Sequence, residues 1–422
     1  MKAELLSTGD EIRSGALVDS NTAYIADKLE EIGIEVVRHH SCGDDMPVLT
    51  DILREISVRA DIALVTGGLG PTTDDLSSEA AAKVAGVKLL LHEESLENIR
   101  AIFKKFQRPM TKSNEKQAYF PEGSTIFTNP VGTAPGFSIK IERCNFYFMP
   151  GVPFEMKKML TDHVIPSIIQ LQGDKHQHSI VKTISTIGLG ESVVGEKVAA
   201  VMDKFKEIKL GLRATFPETL VKLYIRGDNK EKMEEILARA TEWVKDQIGP
   251  NIISYDGTTM EQMLGSLLQS RAATLAIAES CTGGMISDLI TSVPGSSGYF
   301  LFSGVTYSNE AKIRVLGVNP DTINRFGAVS EETVREMADA ARRITGATYG
   351  LATSGIAGPD GGTAEKPVGT ICVGLATPQG TAAKHWVSPY SRLSASYGRR
   401  QMNKRWFSMM AMEMLRRELI KQ

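Results

Sequence analysis

Two glycine-bounded stretches hold the residue types from which hydrolytic chemistry can be built. In Glu279-Ser280-Cys281-Thr282-Gly283-Gly284 a serine hydroxyl follows the apolar run Thr274 to Ala278 and precedes a helical pattern that starts at Gly284. A hydroxyl at such a strand-to-helix turn is placed to attack a carbonyl, and the backbone N–H groups of the helix start can hold the resulting oxyanion or a phosphate. An ordinary helix cap would use the same residue type. Thr306-Tyr307-Ser308-Asn309-Glu310-Ala311-Lys312 forms a comparable turn after the run Phe300 to Tyr307 and supplies proton carriers. His385 is the only histidine in this part of the chain, which argues against a Ser-His-Asp arrangement. A desolvated Lys312 with a lowered pKa would take the Ser280 proton, directly or through Tyr307; a solvated helical lysine is the alternative. Cys281 competes as nucleophile if the helix start lowers its thiol pKa, and is otherwise a small buried residue. Ser354 to Gly362 (SGIAGPDGG) leaves the apolar run Tyr349 to Thr353 in the manner of a phosphate loop, and Arg399 and Arg400, ahead of the terminal helix, could clamp a phosphate bidentately.

The second stretch, Gly67-Gly68-Leu69-Gly70-Pro71-Thr72-Thr73-Asp74-Asp75, leaves the run Ile62 to Thr66. Glycines there let N–H groups approach a phosphate, while Asp74 and Asp75 offer hard oxygen ligands for a divalent cation; a tight turn with capping aspartates is the plainer use. Asp10 and Glu11 follow the first apolar run and Asp44 and Asp45 the second, so three strands deliver acid to one rim, where open α/β sheets bind ligands.

The elements that must position these residues alternate. Ala3 to Ser7, a helix from Asn21 to Ile32, Ile34 to Val37, a helix through Leu49 and Ile56, and Ile62 to Thr66 make a βαβαβ pattern, which implies a parallel sheet covered on both faces. From Ser179 a β-α-β-β-α order follows, resembling ferredoxin-like or KH-like modules, without the GxxG turn and basic flanks that a KH domain turns on RNA. Ile248 to Thr259, with Gly249-Pro250-Asn251, reads as a linker. A second α/β rhythm then runs to a long terminal helix. The chain is expected to be α/β with three parts: a parallel-sheet domain at 1–170, a small α+β module at 171–252 and an α/β domain at 253–422.

At 422 residues, two or three cores are expected. Lys+Arg 48 against Asp+Glu 50 gives a net charge of −2, so neither nucleic acid nor an anionic membrane is an expected partner. Cys42, Cys144, Cys281 and Cys372 stand far apart, and the chain start has too short an apolar stretch for a signal peptide; a reduced, cytoplasmic setting fits.

Thr8-Gly9-Asp10-Glu11, Gly43-Asp44-Asp45, Gly67 to Thr72 with Asp74-Asp75, and Asn129 to Gly136 (NPVGTAPG) together resemble the molybdopterin-binding-type domain of CinA proteins. The resemblance implies a metal-dependent ADP-ribose pyrophosphatase. Gly67, Gly68, Gly70, Thr72 and Asn129 would meet substrate, and some of Asp10, Glu11, Asp44, Asp74 and Asp75 would hold Mg, Mn or Co. Ser77 stands where the family usually has Thr, and a molybdopterin-like substrate is the rival, since fold alone does not fix function. AESCTGG (278–284), GSSGYF (295–300), VTYSNEAK (305–312), GAVSEET (327–333), SGIAGPDGG (354–362) and EKPVGT (365–370) resemble the nicotinamide-nucleotide amidohydrolase domain of the same family. That implies hydrolysis of nicotinamide mononucleotide without a cofactor. Ser280 would be the nucleophile, with Tyr307 and Lys312 assisting, and Thr282, Gly283, Gly284, Asn309, Ser354, Gly355, Gly358 and Arg399 would bind substrate. Ser388-Pro389-Tyr390-Ser391-Arg392 replaces the family's usual Ser-Gly-Asp-Arg. The family's habit is a homodimer, and its name suggests a non-catalytic part in competence or DNA repair as the other class of function.

Overall fold

The computed structural model describes residues 1–173, 178–392 and 397–421, and the chain divides into two compact units. The first comprises Met1–Ile180 and Ile225–Glu234; the second comprises Val181–Tyr224 and Glu235–Gln422. Among the described residues no helix is long and apolar enough to cross a membrane.

The first unit contains β1 (Lys2–Thr8), β2 (Glu35–Cys42), β3 (Ile62–Thr66), β4 (Leu89–Leu91), β5 (Tyr119–Pro121), β6 (Thr125–Phe127), β7 (Gly136–Ile141) and β8 (Cys144–Met149). Six of them form a sheet in the order β2-β1-β3-β8-β7-β6. The first four in that order pair in parallel, as the alternating pattern predicts. The other edge departs from it: β7 and β6 run antiparallel, because only Glu142 and Arg143 join β7 to β8 and so short a connection can only turn the chain back. Side chains alternate between two cores. Leu6, Leu53, Val65 and Phe148 pack on one face, and Leu5, Ile25, Leu64 and Met149 on the other. Register aligns the strand ends, with Thr8 opposite Cys42, Ser7 opposite Thr66, and Thr66 opposite Met149. The residues that follow each strand therefore meet at one rim.

A four-stranded sheet, ordered β10-β11-β9-β12, comprises β9 (His178–Ile187), β10 (Ile208–Thr215), β11 (Glu218–Gly227) and β12 (Ile252–Ser254), most of it within the second unit. Here the expected linker is a strand. Gly249-Pro250 does end the helix Lys230–Ile248, but Ile252, Ile253 and Ser254 are buried and pair antiparallel with β9. Two adjacent β-branched residues gain more from that pairing and burial than from a solvated connection. Ile187 and Ile253 share one buried cluster with Leu264, Leu268, Leu275 and Phe407, so the small module and the following α/β portion have a common core.

That portion contains β13 (Leu275–Glu279), β14 (Phe300–Val305), β15 (Tyr349–Gly355), β16 (Thr370–Thr377) and β17 (Gly380–Val387), ordered β14-β13-β15-β16-β17. The first three are parallel and the last two antiparallel. The terminal helix spans Tyr397–Lys421, so Arg399 and Arg400 lie within its first turn rather than ahead of it.

Candidate active site

β13 is buried along its length between two parallel neighbours, so it delivers Glu279 and Ser280 to the sheet's C-terminal rim. Glu279 is fully buried, and its carboxylate lies across the start of the helix Met285–Thr291. One oxygen accepts from the N–H groups of Gly284 (3.0 Å) and Ile286 (3.3 Å), the other from the N–H (2.9 Å) and hydroxyl (2.5 Å) of Ser287. Sequence reasoning passed over Glu279 and offered those helix amides to an oxyanion or phosphate; they are occupied by this carboxylate, whose charge suits the positive helix end. A glutamate closing an otherwise apolar strand was the available signal. Gly283 and Gly284 take φ of +63° and +92°, a backbone that glycine adopts without strain and that folds the turn over the carboxylate.

Ser280 is nearly buried, and Lys312, reached from the helix Asn309–Leu316 that Ser308 caps, is only 1% exposed. Lys312 Nζ lies 3.1 Å from Ser280 Oγ, 2.9 Å from the Thr306 carbonyl oxygen and 3.1 Å from that of Tyr307. None of the three partners is charged, and burial pushes the lysine pKa below its ordinary value. A neutral amine has two N–H groups and one lone pair. The carbonyls can only accept, so in that form the lone pair faces the Ser280 hydroxyl proton, whereas the ammonium form donates to Ser280 Oγ. Burial pushes the Cys281 thiol up to about 12, which removes the rival thiolate.

The Tyr307 phenol stands outside this pair. Its side chain is 59% exposed and its oxygen accepts from Arg400 Nη2 at 3.0 Å, so Tyr307 reaches Lys312 only through its main-chain carbonyl. Several expected substrate contacts instead build the turn. Thr282 Oγ1 bonds Thr353 Oγ1 at 2.9 Å, and Ser354 Oγ donates to the Ala328 carbonyl at 2.7 Å. A Cβ at Gly355 would meet the Thr370 carbonyl oxygen at 2.6 Å, so this glycine serves strand packing. The Gly358 carbonyl accepts from Arg400 Nη1, while Arg399 Nη2 lies 3.5 Å from the Pro359 carbonyl oxygen. Asn309 is exposed at its helix start.

At the rim of the first unit a cleft of about 610 Å³ is lined by Gly67, Gly68, Gly70 and Thr72 together with Glu11, Asp44, Asp74 and Asp75. Gly67 has φ +100°, and a Cβ there would lie 2.4 Å from the Thr8 carbonyl oxygen, so no larger residue fits the cradle. The buried Ser77 hydroxyl donates to the Gly67 carbonyl at 2.8 Å, a bond a threonine could equally make. Three expected ligands act differently. Asp75 accepts from the Thr72 N–H (2.8 Å) and hydroxyl (2.6 Å), closing the loop on itself. Asp10 pairs with Arg13 and is not part of the lining. Asn129 donates to the Ala134 carbonyl (2.9 Å) and to Glu155 (2.7 Å), bracing from behind a loop whose Thr133 and Ala134 reach the lining while Asn129 itself does not.

Two lining carboxylates escaped the sequence reading. Asp19 caps the helix Ser20–Glu31; burial raises its pKa, but hydrogen bonds from Ser7 and Thr22 outweigh that and hold it low. Glu155, half-buried, is shifted up by burial, which the Asn129 amide only partly offsets. Asp44 is also raised, by burial and by the like charges of Asp10, Glu11 and Asp74. Glu11, Asp19, Asp44, Asp74, Asp75 and Glu155 thus share one cleft with no Lys, Arg or His in its lining. A phosphate entering it needs a cation for company. Among the described residues no three His, Cys, Asp or Glu side chains converge as a metal cage. The donor set fits a hard divalent cation that keeps waters and shares phosphate oxygens while using one or two carboxylates.

Residues 257–419 match the family model of the CinA C-terminal domain, residues 4–170 that of a probable molybdopterin binding domain, and residues 181–254 that of the damage-inducible protein CinA KH domain. A CinA-like protein of Desulfosudis oleivorans is 49% identical over 420 residues, covering 100% of both chains. One from Desulforapulum autotrophicum is 44% identical over 426 residues, covering 100% of this chain and 99% of its own. One from a Shewanella species is 42% identical over 421 residues, covering 100% and 96%.

Proposed function

This chain belongs to the CinA family, and from that premise we propose that its C-terminal portion hydrolyses the carboxamide of nicotinamide mononucleotide. The observation that carries the reading is the buried Lys312 amine, 3.1 Å from Ser280 Oγ and with no ion-pair partner among the described residues. Ser280 Oγ attacks the carboxamide carbon as Lys312 accepts the hydroxyl proton. Because Glu279 occupies the helix amides, the N–H groups of the turn itself, at Cys281 and Thr282, are left to stabilise the oxyanion. Lys312 returns the proton to the departing nitrogen, ammonia leaves, and water, activated by the same amine, releases nicotinate mononucleotide and restores Ser280.

The N-terminal cleft suits cleavage of a nucleoside pyrophosphate such as ADP-ribose, supported by a glycine cradle facing carboxylates with no Lys, Arg or His in the lining. Glu11, Asp44 and Asp74 would hold a divalent cation that neutralises the incoming phosphates. The cradle's N–H groups bind phosphate oxygens, and the Asp75–Thr72 bonds keep the loop in shape. A molybdopterin-like substrate, suggested by the name of the model matched there, would use the same cleft. A non-catalytic part in competence or repair would leave both the Ser280–Lys312 pair and the cleft unaccounted for.

One assay separates the two activities. The full-length chain is expected to release ammonia and nicotinate mononucleotide in equal amounts with or without a chelator, whereas ADP-ribose cleavage stops on chelation and returns with added metal. Asp44→Asn is expected to raise the metal concentration needed by about tenfold. No ammonia from the wild type would sink the first reading; no ADP-ribose cleavage, or cleavage indifferent to chelator, would sink the second.

A further inference from the structure

Lys404 lies one helical turn beyond Arg400 on Tyr397–Lys421 and is half-buried. Its ammonium rests against the nucleophile turn: a Cβ built on Gly283 would be 3.4 Å from Lys404 Nζ and 3.8 Å from Cε. The Gly283 N–H bonds the Ser280 carbonyl at 3.1 Å, so the cation and the nucleophile border one turn. Arg400 stands on the same helix face, one turn earlier, and reaches the Gly358 carbonyl and the Tyr307 phenol, both neutral. Among the described residues neither Lys404 nor Arg400 has a carboxylate within 4.0 Å, whereas further along the same helix Arg416 and Arg417 pair with Glu413 and Lys421 with Glu418. Like charges four residues apart repel each other, and neither cation has a direct carboxylate partner among the described residues.

We propose that Lys404, beside Arg400, holds the 5′-phosphate of the nucleotide whose amide Ser280 attacks, an assignment that rests on the amidohydrolase reading. A phosphate monoester is a dianion with several acceptor oxygens, and an ammonium with rotatable donors meets it as a point charge without demanding a fixed fork. Lys404 then sets the preference for the mononucleotide over the riboside, which presents the same carboxamide without the phosphate.

Binding to the full-length Ser280→Ala protein, measured by calorimetry, tests this without turnover. Lys404→Met, which keeps the length of the stem, is expected to raise the Kd of nicotinamide mononucleotide about tenfold or more. Lys404→Arg should recover most of the loss, and the Kd of nicotinamide riboside should not move. An unchanged Kd for the mononucleotide overturns the assignment, as does an equal weakening for the riboside, since the phosphate would then not be the group held. Failure of the wild type to release ammonia would remove the amidohydrolase reading alone, and the binding comparison would still decide the role of Lys404.

Discussion

Lys312→Met is expected to slow ammonia release from nicotinamide mononucleotide by about 10²–10⁴-fold, the range of a lost general base. Lys312→Arg should rescue nothing, because a guanidinium keeps its proton at any working pH. Ser280→Ala should cost at least as much, and combining it with Lys312→Met should add little, since two groups that act as a unit do not contribute independently. The pH profile carries the sign. Only the neutral amine accepts the serine proton, so wild-type kcat/KM should rise with pH through the Lys312 ionisation, at a midpoint below the usual 10.5, and this limb should vanish in the methionine variant. Stability should rise over the same range. The native amine holds its proton less firmly than the unfolded one, so between the two pKa values the unfolded chain binds more protons. The native state is therefore penalised at neutral pH and recovers as pH rises toward 10.5. Methionine removes that penalty, so the inactive variant should melt no lower than the wild type. Retained activity in Lys312→Met would end the assignment of the base.

Glu279→Ala should damage the fold and the chemistry together. The substitution leaves the N–H groups of Gly284, Ile286 and Ser287 without their acceptor in a site with no solvent access at Glu279, while the Ser287 hydroxyl keeps Ser303 Oγ as its partner. Losing an ionised acceptor that serves one buried and several part-buried donors costs on the order of 3 kcal/mol, roughly 6–12 °C in Tm for a unit of 150–250 residues. Glu279→Gln should fall between, since its one carbonyl oxygen can serve only part of the set while its NH₂ confronts donors. Thermal melts of the full-length proteins, with ammonia release measured well below the transition, check both effects. An alanine variant with wild-type Tm would mean that the carboxylate does not hold the helix start.

What the sequence made legible was the local chemistry. Ser280 follows a strand end and Lys312 sits in the first turn of a capped helix, and period and spacing reveal such positions. The parallel strands that carry Gly67 and Asp44 were readable for the same reason. Direction was not. Whether the Tyr307 phenol points toward Lys312 or away depends on Arg400, 93 residues further on. Asn129 and Asp75 look like ligands by type, yet each spends its hydrogen bonds on its own loop, a choice decided by backbone geometry. Glu155 was invisible because only the folded chain brings its helix to the rim. Ile252 to Ser254 was misread because glycine and proline mark where a helix stops without specifying whether the next residues pair in a sheet.

The shared core around Ile187 and Ile253 has a practical side. Severing the polypeptide between residues 252 and 253 would split a three-residue ribbon and leave a greasy scar on each fragment. A free-standing amidase carved from this protein would need polar replacements at that scar before it stayed dispersed in water.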